Sequence, residues 1–538
     1  MARGKKKNYF FLCILATFVV FLICRMVLLR LVGSTGVAYF GASNEIFFAF
    51  AFAIAFGIEQ SVSILVESRM AKQMYSNVNR IINGGLFLAV ALGVIVSFVL
   101  FLLSHKYTDS LLMMPRAYLA VIVLLPSIPF LLMTGVFRGY FDGVSYRHIS
   151  IQSHFVFCGL YAILGIVFAD IFLKYGDKVA TILRVEDFKY AYGALGASLG
   201  ILLASFISLI HMLVLFILFR RRTNFSEEKY YQRGEETFAG SMLNVFFTGI
   251  SPFVCIGSFL FNNLVNELVI FKSNDIDGNV TEFSFGEYYG KTFPMFGILT
   301  CFLGMFAFSY LRRSLSALYR DENKSARDRL GRMIHRCSTF GFFVSAMIMV
   351  LAENILGLFF ETNGADTVKY LVIESIAIVF GLFAITMSQI LSELGYVNLV
   401  AIICGIAFVL DAILTYILGF VANMSIFGVI ISNIVFYLLV AVFSFIMVSK
   451  CFQYTQEWFR SFLVSIIGSI ICALIGMLIN KALLMVAGKF VSLIISLIIS
   501  MILYVIILLA LKGYSEDELE ASALGKFVLY LGRTFRLI

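Results

Sequence analysis

Leu86-Phe-Leu-Ala-Val-Ala-Leu-Gly-Val-Ile-Val-Ser-Phe-Val-Leu-Phe-Leu-Leu103 contains no charged residue and no proline. A helix apolar on every side has no face for water and belongs in a large core or in lipid. At 1.5 Å per residue its length approaches the ~30 Å of a bilayer's hydrocarbon layer. Comparable stretches recur along the chain at 10–31, 44–66, 80–104, 117–137, 149–173, 192–219, 241–271, 289–311, 336–360, 369–392, 397–420, 425–449, 461–480 and 490–511. The 538 residues are 61% hydrophobic and 14% charged, against roughly half and a quarter in soluble domains. Mean hydropathy is +0.96. The expected fold is an all-α polytopic membrane protein with fourteen transmembrane helices. Its connectors are too short for a separate soluble domain, which argues against a soluble enzyme, a nucleic-acid-binding module and a secreted disulfide scaffold.

The nine cysteines lie in or beside apolar runs without a C-x-x-C or Cys–His metal spacing. They read as small apolar residues, and no metal or cofactor site is expected. The basic start, Met1-Ala-Arg-Gly-Lys-Lys-Lys7, precedes an apolar run with no small-residue cleavage site, and reads as an uncleaved first helix. With that start inside, inside segments hold 28 Lys/Arg and outside segments 11. The positive-inside rule then puts both termini in the cytoplasm. The +9 net charge follows from such loops beside an anionic leaflet and needs no nucleic acid. Trp458 is placed as an interfacial anchor.

The halves echo each other. Gly143 and Gly395, each closing a span, are 252 residues apart, as are Arg80 and Arg332, each opening one. Gly196 and Gly428 are offset by 232. Six spans per half is even, so the halves insert the same way round, as parallel repeats with a substrate site between them. The expected divisions are an N-lobe at 1–222, a cytoplasmic linker at 223–240, a C-lobe at 241–450, two appended helices within 451–512 and a cytoplasmic tail at 513–538.

Several stretches resemble one family. Leu31-Val-Gly-Ser-Thr-Gly-Val-Ala-Tyr39 and Gly57-Ile-Glu-Gln-Ser-Val-Ser-Ile-Leu-Val-Glu67 look like the first two helices of the polysaccharide-export and lipid II flippase branch of the MOP superfamily. Phe137-Arg-Gly-Tyr-Phe-Asp-Gly143 resembles that branch's R-G-Y-F-x-G turn. Tyr289-Gly-Lys-Thr-Phe-Pro294, Leu351-Ala-Glu-Asn-Ile-Leu356 and Leu394-Gly-Tyr-Val-Asn398 resemble three further family stretches. The resemblance spans roughly 20–450. It implies a fourteen-helix, two-lobed transporter of a bacterial cytoplasmic membrane that moves a lipid-linked saccharide outward by alternating access. The expected partners are that cargo, membrane lipids and a coupling cation or the membrane potential, with the chain acting as a monomer. A cation-coupled multidrug exporter of the same superfamily is the alternative. Glu59 stands where the family usually has proline, and Cys24-Arg25 where lipid II flippases have an Arg–Asp pair, so lipid II itself is not implied.

A polyprenyl-pyrophosphate saccharide needs cations for its phosphates and hydrogen-bonding groups for its hydroxyls, and ionisable residues inside spans are candidates for both. Arg25 either binds the phosphate or pairs with Glu45. Arg30 reads as snorkelling at a span end, and Lys291 as an interfacial anchor or a phosphate contact. Glu59 and Gln60 could take a coupling cation, a proton or sugar hydroxyls, or simply bond a neighbouring helix. Asp411, near the centre of its span, should face the cavity or be protonated. Glu374 is similar and Glu353 interfacial. Asn262/Asn266 and Asn263/Glu267, each four residues apart, make two polar stripes suited to a sugar or to interhelical amide bonds. Arg138 and Asp142 fall in the expected cytoplasmic turn, to meet the head group or each other. Four of the five prolines (Pro126, Pro129, Pro252 and Pro294) lie within spans. With Gly249 and Gly257 flanking it, Pro252 is the candidate hinge or a static kink.

Overall fold

The computed structural model describes residues 2–223, 236–277, 281–297, 299–301, 303–304, 323–360, 364–456, 458–511 and 513–514. Most of the linker, the 312–322 stretch, much of span 289–311 and nearly all of the tail therefore lie outside the described residues, as do the side chains of the basic start.

The described residues form helices and no strand. Twelve helical segments are long and apolar enough to cross a membrane. The first, Leu15–Ala71, takes in both spans expected at 10–31 and 44–66, and eleven others match one span each. The span at 289–311 is helical where described but is not among the twelve.

One connector differs from expectation. Residues 32–43 are helical: α1 runs Ala2–Ile46, passes through a wider π-helical turn at Phe47–Phe52, and continues as α2 (Ala53–Ala71). The stretch has small and apolar residues, no proline and no cap to stop a helix. The direction change is confined to Gly33, whose φ of 68° and ψ of 176° leave the helical region at a φ that glycine adopts without a Cβ clash.

The helices after α2 are α3 (Tyr75–His105), α4 (Tyr118–Leu124), α5 (Ser127–Gly143), α6 (Arg147–Leu183), α7 (Asp187–Thr223), α8 (Phe238–Asp277) and the short α9 (Glu282–Glu287). They are followed by α10 (Asn323–Phe359), α11 (Ala365–Glu393), α12 (Val397–Tyr416), α13 (Ser425–Phe452), α14 (Val464–Leu484) and α15 (Lys489–Ala510). Pro126 separates α4 from α5, so one expected span is two helices in line. Helix α8 passes through Pro252 unbroken.

The chain divides into two compact units, Met1–Gly290 with Val397–Val429, and Lys291–Tyr396 with Ile430–Ile538. These packing units cut the chain at other points than the sequence repeat. In the first, α6 packs along α7, and α2 packs on both α5 and α8. Helix α12 joins it by packing on α8. In the second, α10 packs on α11 and α14, and α14 on α15.

The α2–α5 crossing shows how the apolar helices are held. A Cβ on Gly135 would stand 2.7 Å from the Ala55 carbonyl, one on Gly139 2.3 Å from that of Glu59, and one on Gly143 2.8 Å from that of Ser63. Three glycines at four-residue spacing form one stripe, and without side chains there the two backbones touch. The last two belong to the R-G-Y-F-D-G stretch. That stretch is the end of α5, not a turn; the turn follows at 144–146.

Candidate substrate site

Two polar clusters lie inside the first unit. The first is built around Arg25, which is 5% exposed. Its guanidinium lies over the rings of Phe21 and Phe40, each 5.4 Å from the ring centre, and of Tyr289 at 4.8 Å. Its Nη2 donates to the Tyr289 hydroxyl at 3.1 Å. Asn44 Nδ2 donates to the same oxygen at 2.8 Å, and Tyr161 donates to Asn44 Oδ1 at 2.9 Å. Glu45 also reaches the Tyr289 hydroxyl and lies in Coulombic range of Arg25. The two readings of Arg25 thus meet at Tyr289, which stands between the arginine and the carboxylate. Tyr107 donates to the Ala42 carbonyl at 3.1 Å and leans on Glu267 Oε2 at 3.4 Å. Arg25 Nε and Nη1, Glu45 Oε2 and Glu267 Oε1 are buried without a hydrogen-bond partner.

The second cluster joins α2, α5 and α6. Glu59 Oε1 lies 3.4 Å from His154 Nε2 and accepts from Ser150 Oγ at 3.5 Å. Arg138 is among the largest fully buried side chains; its Nε donates to Ser153 Oγ at 3.0 Å. It faces both Glu59 and Asp142, and Arg147 faces Asp142 from the next helix. Arg138 is expected in a cytoplasmic turn; it lies instead in the last turns of α5, whose register points it inward, next to Asp142 of its own helix and Glu59 one helix away. Gln60 is only partly buried.

A third polar contact joins α8 to α12. Thr415 Oγ1 donates to Asn266 Oδ1 at 3.2 Å and approaches Asp411 Oδ2 at 3.4 Å. Asp411 is fully buried, and Asn262 and Glu267 are nearly so. The two stripes on α8 separate as their spacing implies: Asn266 meets α12, while Glu267 turns to Tyr107. Gly249 is a packing residue as well, since its Cβ would stand 3.1 Å from the Gly57 carbonyl of α2. Lys291 belongs to the second unit, where it is 2% exposed with Nζ 5.8 Å from the centre of the Phe360 ring. The short α9 is tied to α1 outside the spans, by Ser34 donating to Glu287 and Tyr39 to Glu282. Burial raises the Glu282 carboxyl above its ordinary range, against the lowering by the Tyr39 hydrogen bond.

With this architecture in view, known proteins can be compared. The MatE family profile matches residues 11–170. The chain is 21% identical over 348 residues to stage V sporulation protein B of Bacillus subtilis (strain 168), a match covering 63% of each chain. Among solved structures, the lipid II flippase MurJ in an inward closed conformation superposes with a TM-score of 0.64 at 15% identity, covering 93% of this chain and 98% of that one. An inward-facing multidrug resistance MATE family transporter of the MOP superfamily gives 0.61 at 15% identity, covering 81% and 98%. The chain is a multi-pass membrane protein with the fold of the MOP-superfamily transporters. The MatE match covers α1 to most of α6, and so includes Arg25, the kink at Gly33, Glu59 and the R-G-Y-F-D-G stretch. In this MOP-fold chain the stretch is explained by its glycines, which seat α5 on α2, and by Arg138, which faces the carboxylates Glu59 and Asp142 beside that contact. Sequence reasoning passed over Tyr107, Tyr161, Tyr289, Asn44 and His154. A tyrosine carries no charge signal, whether inside an apolar run (Tyr161) or beside one (Tyr107, Tyr289), and the hydroxyls became visible only once the helices were placed.

Proposed function

We propose that the protein is a flippase that carries a lipid-linked saccharide, with a polyprenyl-pyrophosphate head, across a bacterial cytoplasmic membrane by alternating access. The observation that carries this reading is Arg25. A guanidinium inside an apolar span, with two buried N–H groups lacking acceptors, is a donor set waiting for anionic oxygens. The hydroxyls and amides around it, from Tyr161, Tyr289 and Asn44, are the groups a sugar phosphate needs. The resemblance to stage V sporulation protein B and to MurJ supports the same class of cargo. On this reading the chain is a monomeric pair of parallel six-span repeats with both termini in the cytoplasm, moved by a coupling cation or the membrane potential.

Gentle purification followed by native mass spectrometry tests it. A polyprenyl-phosphate saccharide should accompany the wild type and be lost from Arg25→Ala. Ordinary phospholipid alone, with binding of added cationic drugs, would favour the multidrug reading, to which the buried carboxylates Glu45 and Glu267 lend some support. Orientation has its own test: a single cysteine at Ser325→Cys should be labelled from the cytoplasmic side, and labelling from outside would overturn the N-in, C-in arrangement.

A further inference from the structure

The charges around Arg25 do not balance. Glu45 is 3% and Glu267 2% exposed, and the two lie in Coulombic range of each other. Among the described residues that face them, Arg25 is the one cation; the others are Tyr107, Tyr289 and, beside the arginine, Tyr161, Cys24 and the neutral amide of Asn44. Pairing Arg25 directly with Glu45 would satisfy one carboxylate and leave Glu267 with Tyr107 alone. The unmet hydrogen-bonding atoms are of two kinds: donors at Arg25 Nε and Nη1, and acceptors at Glu45 Oε2 and Glu267 Oε1. A ligand complementary to both must bring acceptor oxygens with negative charge and donor hydrogens with positive charge.

We infer that this cluster recognises a zwitterionic head group, a phosphate ester whose attached sugar or alcohol carries a protonated amine, with the phosphate on Arg25 and the ammonium between Glu45 and Glu267. This deepens the proposed function and rests on it. A purely anionic pyrophosphate sugar would place its charge beside two carboxylates, and a purely cationic amphiphile would leave the guanidinium donors unmet. An ammonium has three donors, enough to serve both orphan carboxylate oxygens. Charge-assisted hydrogen bonds of this kind are the strong ones in a site sheltered from water.

The test is binding of two synthetic lipids to the purified full-length protein by native mass spectrometry. One is a prenyl-phosphate glucosamine, the other its N-acetylated form, which removes the ammonium and leaves the protein untouched. The free-amine lipid should bind at least tenfold more tightly. In Glu267→Gln and in Glu45→Gln that ratio should fall toward one, and Arg25→Gln should weaken both lipids. Equal binding of the two lipids to the wild type would overturn the zwitterion assignment while leaving the flippase reading in place. No binding of either above that of prenyl alcohol would overturn both. A cationic amphiphile lacking phosphate that bound as tightly as the amino lipid would also overturn the assignment.

Discussion

The two buried clusters of the first unit are built from the same residue types and differ in their bookkeeping of charge. Around Arg138, two carboxylates (Glu59 and Asp142) face two arginines and a histidine, and the helices carrying them touch along a glycine stripe. Around Arg25, Glu45 faces the arginine and Glu267 faces Glu45, so two carboxylates share one cation; hydrogen-bonding atoms without a partner occur in both clusters, four here (Arg25 Nε and Nη1, Glu45 Oε2, Glu267 Oε1) and two there (Arg138 Nη2, Asp142 Oδ1). A balanced buried network fixes how helices pack. An unbalanced one is incomplete without something else. That difference is the ground for the binding role proposed for the Arg25 cluster.

The comparison can be broken first at Arg138. Arg138→Gln leaves Glu59 with His154 and Asp142 with Arg147 as their remaining charged partners and, by removing one member of a buried network, should lower stability by about 3–5 kcal/mol, read as a large fall in the thermal midpoint of the detergent-solubilised protein. An unchanged midpoint would mean that the cluster does not hold α2, α5 and α6 together. Gly139→Val, which forces side-chain atoms against the Glu59 carbonyl, should cost about 3 kcal/mol by overpacking and reduce the monodisperse fraction in size-exclusion chromatography. The same measurements sharpen the contrast at Glu267. Because Arg25, the one cation of this cluster among the described residues, faces Glu45 rather than Glu267, Glu267→Gln should stabilise the unliganded protein by about 1–2 kcal/mol, the reverse sign from Arg138→Gln, since a buried charge without a counter-ion is itself unfavourable. A fall in the midpoint of Glu267→Gln would place it with the balanced kind. The smallest effect belongs to Thr415→Val at the α8–α12 contact, where loss of one interhelical hydrogen bond should cost about 0.6 kcal/mol, within reach of a double-mutant comparison with Asn266→Ala.

Much of the fold was legible in the sequence because lipid imposes a simple rule: apolar length marks a helix. Eleven spans matched a single helical segment each for that reason, and the charge at Arg25 stood out against its run. The expected break between the first two spans is there, but at Gly33 alone; the rest of 32–43 is helical because its small and apolar residues fit a helix as well as a loop. Arg138 was misplaced because a glycine-bounded, charged stretch looks like a turn, whereas its glycines serve a helix crossing. Glu45 was legible as a neighbour of Arg25, but the tyrosines of the cluster were not, for a different reason. Tyr107, Tyr161 and Tyr289 come from three distant segments, and their convergence is a property of packing rather than of any local pattern.

On the proposed function, Arg25 and its neighbours take up the phosphate of a lipid-linked saccharide during translocation. This uptake is tested most directly by reconstituting the protein in liposomes with a prenyl-phosphate sugar lipid and following how much of the sugar becomes reachable by a membrane-impermeant oxidant. Rapid exposure is expected with the wild type, none above protein-free liposomes with Arg25→Ala, and retained activity with Thr415→Val. Equal rates for wild type and Arg25→Ala would contradict it.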